Sequence, residues 1–248
     1  MDIGFLTEAF FILLSGVPLT LQLAGISVVT GMMLALLVAL MRQSGIQIFN
    51  GFARGFVAVF RGTPLLVQLF LIYYGLGQFR PDLEAMGLWQ FFREPFWCAS
   101  LALALNTAAY GSEVIRGGLM AVPFGQLEAA RACGMSGVLL FRRIVFPIAL
   151  RQALPAYGNE IILVVKATSL ASTVTMMEIT GIAHKLIAET FQAVPVFMAA
   201  GAIYLLINFL LTRAIQALEW WLSPHLRSVA VAMPAVELSV NTSAERPS

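Results

Sequence analysis

Asn106, Tyr110 and Glu113 stand four and three residues apart in an otherwise apolar stretch, so on a helix all three share one face. A second polar set, Asn159, Glu160, Lys166, Thr168 and Ser169, interrupts the apolar run NEIILVVKATS. There Asn159 and Lys166 share a face with Pro155, and Glu160 is turned from Asn159 by about 100°. These residue types suit the holding of a charged or zwitterionic solute. A carboxylate meets a cation, a lysine or amide meets a carboxylate, and each contact is stronger where water is excluded. A carboxylate at the centre of a bilayer costs about 2.5–3.5 kcal/mol on insertion scales, so it faces a bundle interior or a wet cavity. Glu113 lies near the end of its apolar run, where an ion pair with Arg116, three residues on, is an alternative to a pathway role. The hydroxyls of Thr168, Ser169, Ser172, Thr173 and Thr175 have the alternative of bonding back to their own helix.

Several chemistries lack their parts. The sequence holds no G-x-x-x-x-G-K-[ST] string and no Gly-Lys pair, so it has no loop of that kind to cradle the phosphates of ATP. His184 and His225 stand alone, with no Cys or acidic cluster at metal-ligand spacing, and read as surface histidines.

The elements that position these residues are membrane helices. Hydrophobic residues make up 59% of the 248 positions and charged residues 11%, with a mean hydropathy of +0.85, which describes a polytopic membrane protein rather than a soluble domain. The uncharged run from Ala9 to Met41 exceeds the roughly 20 residues a spanning helix needs. It lacks the basic start and cleavage site of a signal peptide and reads as one retained helix. Its Gly16, Pro18, Gly25 and Gly31, with Thr20, Gln22, Ser27 and Thr30, suit close helix packing. Gly62–Phe79, Pro95–Ser112, Gln152–Met177 and Thr190–Thr212 complete an all-α fold of about five transmembrane helices. Thr63 and Pro64 are expected to start the second, Tyr73 and Tyr74 to anchor its outer end, and Trp89 and Trp97 to flank the loop beyond it. Pro155 and Gly158 are expected to interrupt the fourth.

With the N-terminus outside, eleven of the fifteen Lys and Arg fall in inner segments, and only Arg80, Arg93 and Lys185 in outer ones. That bias sets the C-terminus in the cytoplasm. Cys98 and Cys133 then lie on opposite faces and form no disulfide. The string Gly134-Met135-Ser136-Gly137 matches one found in intramembrane serine proteases, but its nearest base, His184, is separated from it by the ~30 Å bilayer. The expected organisation is a short outer segment over 1–10, a membrane domain over 11–226 and a flexible cytoplasmic tail over 227–248. The Asn241-Thr242-Ser243 triplet falls in that cytoplasmic tail and carries no glycan there.

Between two apolar regions, Leu127–Arg151 is the one long charged interval in the middle of the chain. Pro123 suits a helix start, Glu128, Ala129, Ala130 and Arg131 are good helix formers, and Gly134 can take the left-handed conformation that ends a helix. The spacing predicts a short helix, about two to three turns, with small residues at Ala129, Ala130 and Ala132 that let another protein approach. A loop over about 120–150 thus reads as a docking element.

Glu128-Ala129-Ala130 with Gly134, Ile144, Phe146 and Pro147 resembles the "EAA" loop of ABC importer membrane subunits, which docks into a groove on a cytoplasmic ATPase. RGTPLLVQLFLIYYG, ALNTAAYGSEVIRGG followed by AVPFGQLEAARACGMS, and RQALPAYGNEIILVVKATSL are similar to the polar amino-acid and opine permeases of that class. The resemblance implies a multi-pass subunit of the bacterial inner membrane that pairs with a second permease, identical or not. It implies two ABC ATPase subunits below, which bind ATP and Mg, and a periplasmic substrate-binding protein above. The chain itself would be a transport subunit, not an enzyme, with no cofactor or metal of its own and no nucleic-acid partner. ATPase coupling would fall to Glu128, Ala129, Ala130 and Gly134. Where many relatives read Lys-Asp-Thr-Ser, this chain reads Lys166-Ala167-Thr168-Ser169, and that variant, with ALPAYGNE, is closer to histidine, lysine–arginine–ornithine and opine permeases. A basic amino acid or an opine is the expected cargo, with Glu113 and Glu160 for the cationic end and Lys166 or Asn106 for the carboxylate. The competing reading is an ion-coupled secondary transporter using Glu113, Glu160 and Lys166 as relays. It leaves the docking loop without a purpose.

Overall fold

The computed structural model describes residues 3–222, whose regular structure is helical throughout. His225, the Asn241-Thr242-Ser243 triplet and the tail over 227–248 lie outside the described residues.

The run expected to be one helix from Ala9 is two, α1 (Ile3–Leu14) and α2 (Val17–Gln43). Gly16 is the reason. A Cβ there would stand 2.6 Å from the Ile179 amide nitrogen and 2.8 Å from the Glu178 carbonyl carbon, so a later segment crosses directly over the glycine backbone. Thr20 fastens the crossing: its hydroxyl donates to the Gly16 carbonyl (3.0 Å) and accepts the Ile179 N–H (3.4 Å). Pro18 opens α2 where a missing N–H costs nothing. Gly16→Ala is expected to cost about 1–3 kcal/mol, because the crossing segments must separate. A lower thermal midpoint of the detergent-solubilised protein would show this, and an unchanged midpoint would mean that the crossing has slack.

The second expected span, Gly62–Phe79, is α4 (Leu65–Gln78), and the preceding segment forms α3 (Gln47–Gly62), which meets it at 106°. Thr63 does not cap α4, since its hydroxyl donates back to the Val59 carbonyl (2.7 Å) and the N-cap position falls to Pro64. The short helices α5 (Arg80–Ala85) and α6 (Trp89–Phe92) lead to α7 (Pro95–Met120).

α7 is the axis of the bundle, packed chiefly on α2 and on the helix over Phe146–Ala167. Small residues bring these helices together. A Cβ on Gly31 of α2 would meet Thr107 Cβ at 2.7 Å, and one on Gly118 would meet the Ala149 carbonyl oxygen at 2.7 Å.

The docking loop holds α8 (Phe124–Ala132) and α9 (Gly137–Leu140), then a π-helical turn over Phe141–Val145 runs into α10 (Phe146–Ala167). The expected interruption at Pro155 and Gly158 does not occur. α10 runs through both, since proline removes only one N–H and membrane helices re-satisfy the freed carbonyl locally, and Gly158 gives room to Ile215. The break comes later, in a 3₁₀ turn over Thr168–Val174 that ends at Thr175 with φ +65°. α11 (Ile179–Thr190) and α12 (Ala193–Leu222) follow, and α1 packs against both.

Two helices, α2 and α12, are long and apolar enough to cross a membrane alone, with mean hydropathies of 2.4 and 2.1. The bent pairs α3–α4 and α10–α11 raise the number to four. At 26 residues α7 has the length for the third expected crossing, Pro95–Ser112. Its Asn106, Thr107, Gly111 and Ser112 dilute the apolar signal because it faces other helices on much of its surface.

Candidate functional site

The bend between α3 and α4 leaves backbone groups that need partners. Pro64 has no N–H, and the Phe60 and Thr63 carbonyls point out of the end of α3. Gln68, one turn into α4, answers them: its amide nitrogen donates to Phe60 O (2.8 Å), Thr63 O (3.1 Å) and Thr63 Oγ1 (2.9 Å). Asn106 closes the network from α7, donating to Gln68 Oε1 (3.1 Å) and more weakly to Phe60 O (3.4 Å). Gln68 stands alone in an apolar run, and an isolated amide there is a signal that it has work inside the bundle. Gln68→Leu strands the two carbonyls and is expected to cost about 1–3 kcal/mol. The thermal midpoint should fall accordingly, and no shift would show that the network does not hold the bend.

Beside this network is a cavity of about 370 Å³, lined by Thr63, Asn106, Tyr110 and Glu160 with Leu103 and Leu163. Glu160 is 9% exposed, and among the described residues its carboxylate accepts no hydrogen bond and forms no ion pair. Tyr110 carries the Arg61 guanidinium over its ring, 5.1 Å from the centroid.

The structure thus brings together Asn106, Tyr110 and Glu160 of the residues singled out above. Glu113 stands apart in an ion-pair cluster. Arg116 donates to its Oε2 from Nη2 (2.6 Å) and Nε (3.0 Å), and Arg42 of α2 pairs with Oε1. The anticipated partner Arg116 is joined by one no sequence spacing pointed to, since Arg42 lies on another helix. Asn159 and Lys166 are exposed on a different face of α10 from Glu160. Thr168 and Ser169 donate to Val165 O and Lys166 O, both at 2.7 Å, so their hydroxyls serve the 3₁₀ turn.

A second group that the sequence did not flag is Glu178, fully buried at the start of α11. It accepts the Gly181 N–H (2.9 Å) and the Tyr204 hydroxyl (2.7 Å), joining α11 to α12. Its N-cap position three residues before Gly181 was legible in principle, while Tyr204 was not.

In the loop over about 120–150, α8 is nine residues long and ends as expected. Gly134 takes φ +79°, its N–H bonds to Arg131 O (2.9 Å), and the Met135 N–H reaches back to Ala130 O (3.0 Å). Glu128, Ala129 and Ala132 are exposed, but Ala130 is buried and packs within its own subunit. Phe124 and Val138, more than 80% exposed, lie to either side. Ser136 precedes α9 while the His184 ring lies against Phe197 of α12, a contact that serves packing. Cys98 is buried, and Cys133 is exposed at the end of α8.

Residues 27–223 match the family of binding-protein-dependent transport system inner membrane components. The chain is 58% identical to the nopaline transport system permease protein NocM of Agrobacterium fabrum, over 92% of this chain and 95% of the relative. It is 39% identical to the arginine ABC transporter permease protein ArtM of Haemophilus influenzae, over 86% of this chain and 92% of the relative. Among solved structures, an amino acid ABC transporter crystallised with histidines superposes with a TM-score of 0.79 at 33% identity, covering 88% of this chain and 98% of that one.

Proposed function

The chain belongs to the family of binding-protein-dependent transport system inner membrane components, and on that premise we propose that it conducts a cationic amino acid or a guanidinium-bearing opine through the Glu160 cavity. It is a permease subunit of an ABC importer, and ATP hydrolysis belongs to a separate subunit. The observation that carries the cargo reading is the Glu160 carboxylate, buried at a mostly apolar cavity with no hydrogen bond among the described residues. Such a group is costly unless a cation visits it. The names of the relatives, a nopaline permease and an arginine permease, agree with that chemistry.

The working assembly in this reading is two permease subunits in a bacterial inner membrane, two ABC ATPases that hold ATP and Mg, and a periplasmic binding protein. Glu128, Ala129 and Gly134 form the face that meets the ATPase, Ala130 packs behind them, and Asn106, Tyr110 and Glu160 line the path. Glu113, Asn159, Lys166, Thr168 and Ser169 serve the path less directly, through ion pairing, through the exposed face of α10 and through the 3₁₀ turn.

Orientation has a direct test. Cys133 is exposed beside the docking helix, so it should resist an impermeant thiol reagent applied to intact cells, whereas Lys185→Cys should react. The opposite pattern would invert the topology. Cargo is tested by ATP hydrolysis in the reconstituted complex with its binding protein. Arginine, histidine or an opine should stimulate it. Stimulation by glutamine or glutamate, with arginine, histidine and opines inert, would overturn the cargo reading.

A further inference from the structure

We propose that the Arg42–Glu113 ion pair is the fastening that makes α2 follow α7 when α8 is displaced, so that Arg42 is a positioning residue tying transport to ATP hydrolysis. The proposal rests on the reading that α8 meets a separate ATPase, and adds how a movement of α8 enters the bundle.

α8 cannot move far without α7. Only Ala121, Val122 and Pro123 separate the two helices, and Val122 is buried. Near that end α7 is held to its two neighbours by different means. On the α10 side the contact is steric, since a Cβ on Gly118 would stand 2.7 Å from the Ala149 carbonyl oxygen and 2.9 Å from Ala153 Cβ. Packing that tight passes displacement on by itself. On the α2 side the helices run parallel, with Gly31 against Thr107 and Ala35 against Gly111. Such small residues let helices approach closely but interlock little, so the two faces can shear past each other.

The ion pair lies beyond those contacts, at the last turn of α2. Arg42 Nη1 meets Glu113 Oε1, and Arg116 donates to Oε2 from Nε (3.0 Å) and Nη2 (2.6 Å). Arg116 Nη1 also reaches Met120 Sδ (2.9 Å) on the last residue of α7, so the cluster grips the end from which α8 departs. The Arg42 and Glu113 side chains are no more than 20% exposed, and water competes little for the pair. A slide of α2 along α7 would break it. With the pair closed, α2 carries the movement along its length of about 40 Å to its first turn. There Thr20 accepts the N–H of Ile179, the first residue of α11.

The test is the ratio of ATP hydrolysed to labelled arginine taken up by Arg42→Gln, in proteoliposomes holding the full complex with its binding protein. This change removes the link between helices but leaves Glu113 paired with Arg116, so no carboxylate is stranded and the complex should assemble. Hydrolysis should continue while uptake falls, raising the ratio at least about fivefold, the lower end of coupling between sites. Combining Arg42→Glu with Glu113→Arg restores opposite charges across the two helices and should bring the ratio back towards wild type, whereas Arg42→Glu alone should not. A purely structural role would lower uptake and hydrolysis together and leave the ratio in place. An unchanged ratio in Arg42→Gln, a raised ratio that the exchanged pair does not lower, or a complex that fails to assemble would overturn the assignment. Wild-type uptake indifferent to the ATPase would remove the docking reading beneath it, so the two can fail separately.

Discussion

Gly134→Arg should leave the subunit folded and inserted while abolishing uptake driven by the partner ATPase. The structure separates these outcomes. Gly134 closes α8 at φ +79°, where any side chain is strained by about 1–2 kcal/mol, a modest burden for a surface loop. A Cβ built there meets nothing within 4 Å, so the new side chain does not clash within this subunit. It extends instead from the end of the helix that presents Glu128 and Ala129, into the space that the proposed ATPase contact would occupy. Gly134→Ala has the strain without the bulk and should retain most of the coupling. Membrane yield, co-purification of the ATPase and ATP-driven uptake should be measured together for both variants. Wild-type uptake by Gly134→Arg with a stoichiometrically bound ATPase would remove α8 from the coupling path.

Glu160→Gln should raise the KM for arginine uptake about tenfold to a hundredfold, the loss expected when a charge-assisted contact of about 1.5–3 kcal/mol is replaced by a neutral one. The same change should leave thermal stability unchanged or higher. A buried carboxylate without a hydrogen bond among the described residues costs the fold free energy, and glutamine of equal size relieves that cost. Opposite signs in function and stability are the signature of a residue kept for its ligand. Glu160→Asp keeps the charge but withdraws it by a methylene, and should fall between. An unchanged KM would place the path elsewhere, and a lower thermal midpoint alongside the raised KM would mark Glu160 as structural.

Local signals in this chain were readable from sequence, and contacts between distant segments were not. α8 came out with its length and its left-handed Gly134 because helix formers and a terminating glycine act within a single turn. The common face of Asn106, Tyr110 and Glu113 follows from helix periodicity, yet what each residue touches does not. Glu113 meets Arg42, whose helix ends seventy residues earlier, and that pairing exists only because Gly31 and Gly111 let α2 and α7 close on each other. The split of the first run at Gly16 depends on the approach of Ile179, over one hundred and sixty residues away. The expected break at Pro155 and Gly158 failed for a related reason, since neighbouring helices decide whether a proline interrupts a membrane helix. Gln68 is not distinguished by the sequence because an amide acquires its role from the 106° bend between α3 and α4, which the RGTP string does not specify by itself.

Opening of this subunit's path should be driven by ATP hydrolysis on a separate chain, which is tested by uptake of labelled arginine or opine into proteoliposomes holding the permease, its ATPase and, outside, the binding protein. Uptake should require ATP and Mg inside the orientation-matched vesicles, stop when the ATPase is left out, and persist with a protonophore and without a sodium gradient. Uptake by the permease alone, driven by an imposed proton or sodium gradient and indifferent to ATP, would contradict it.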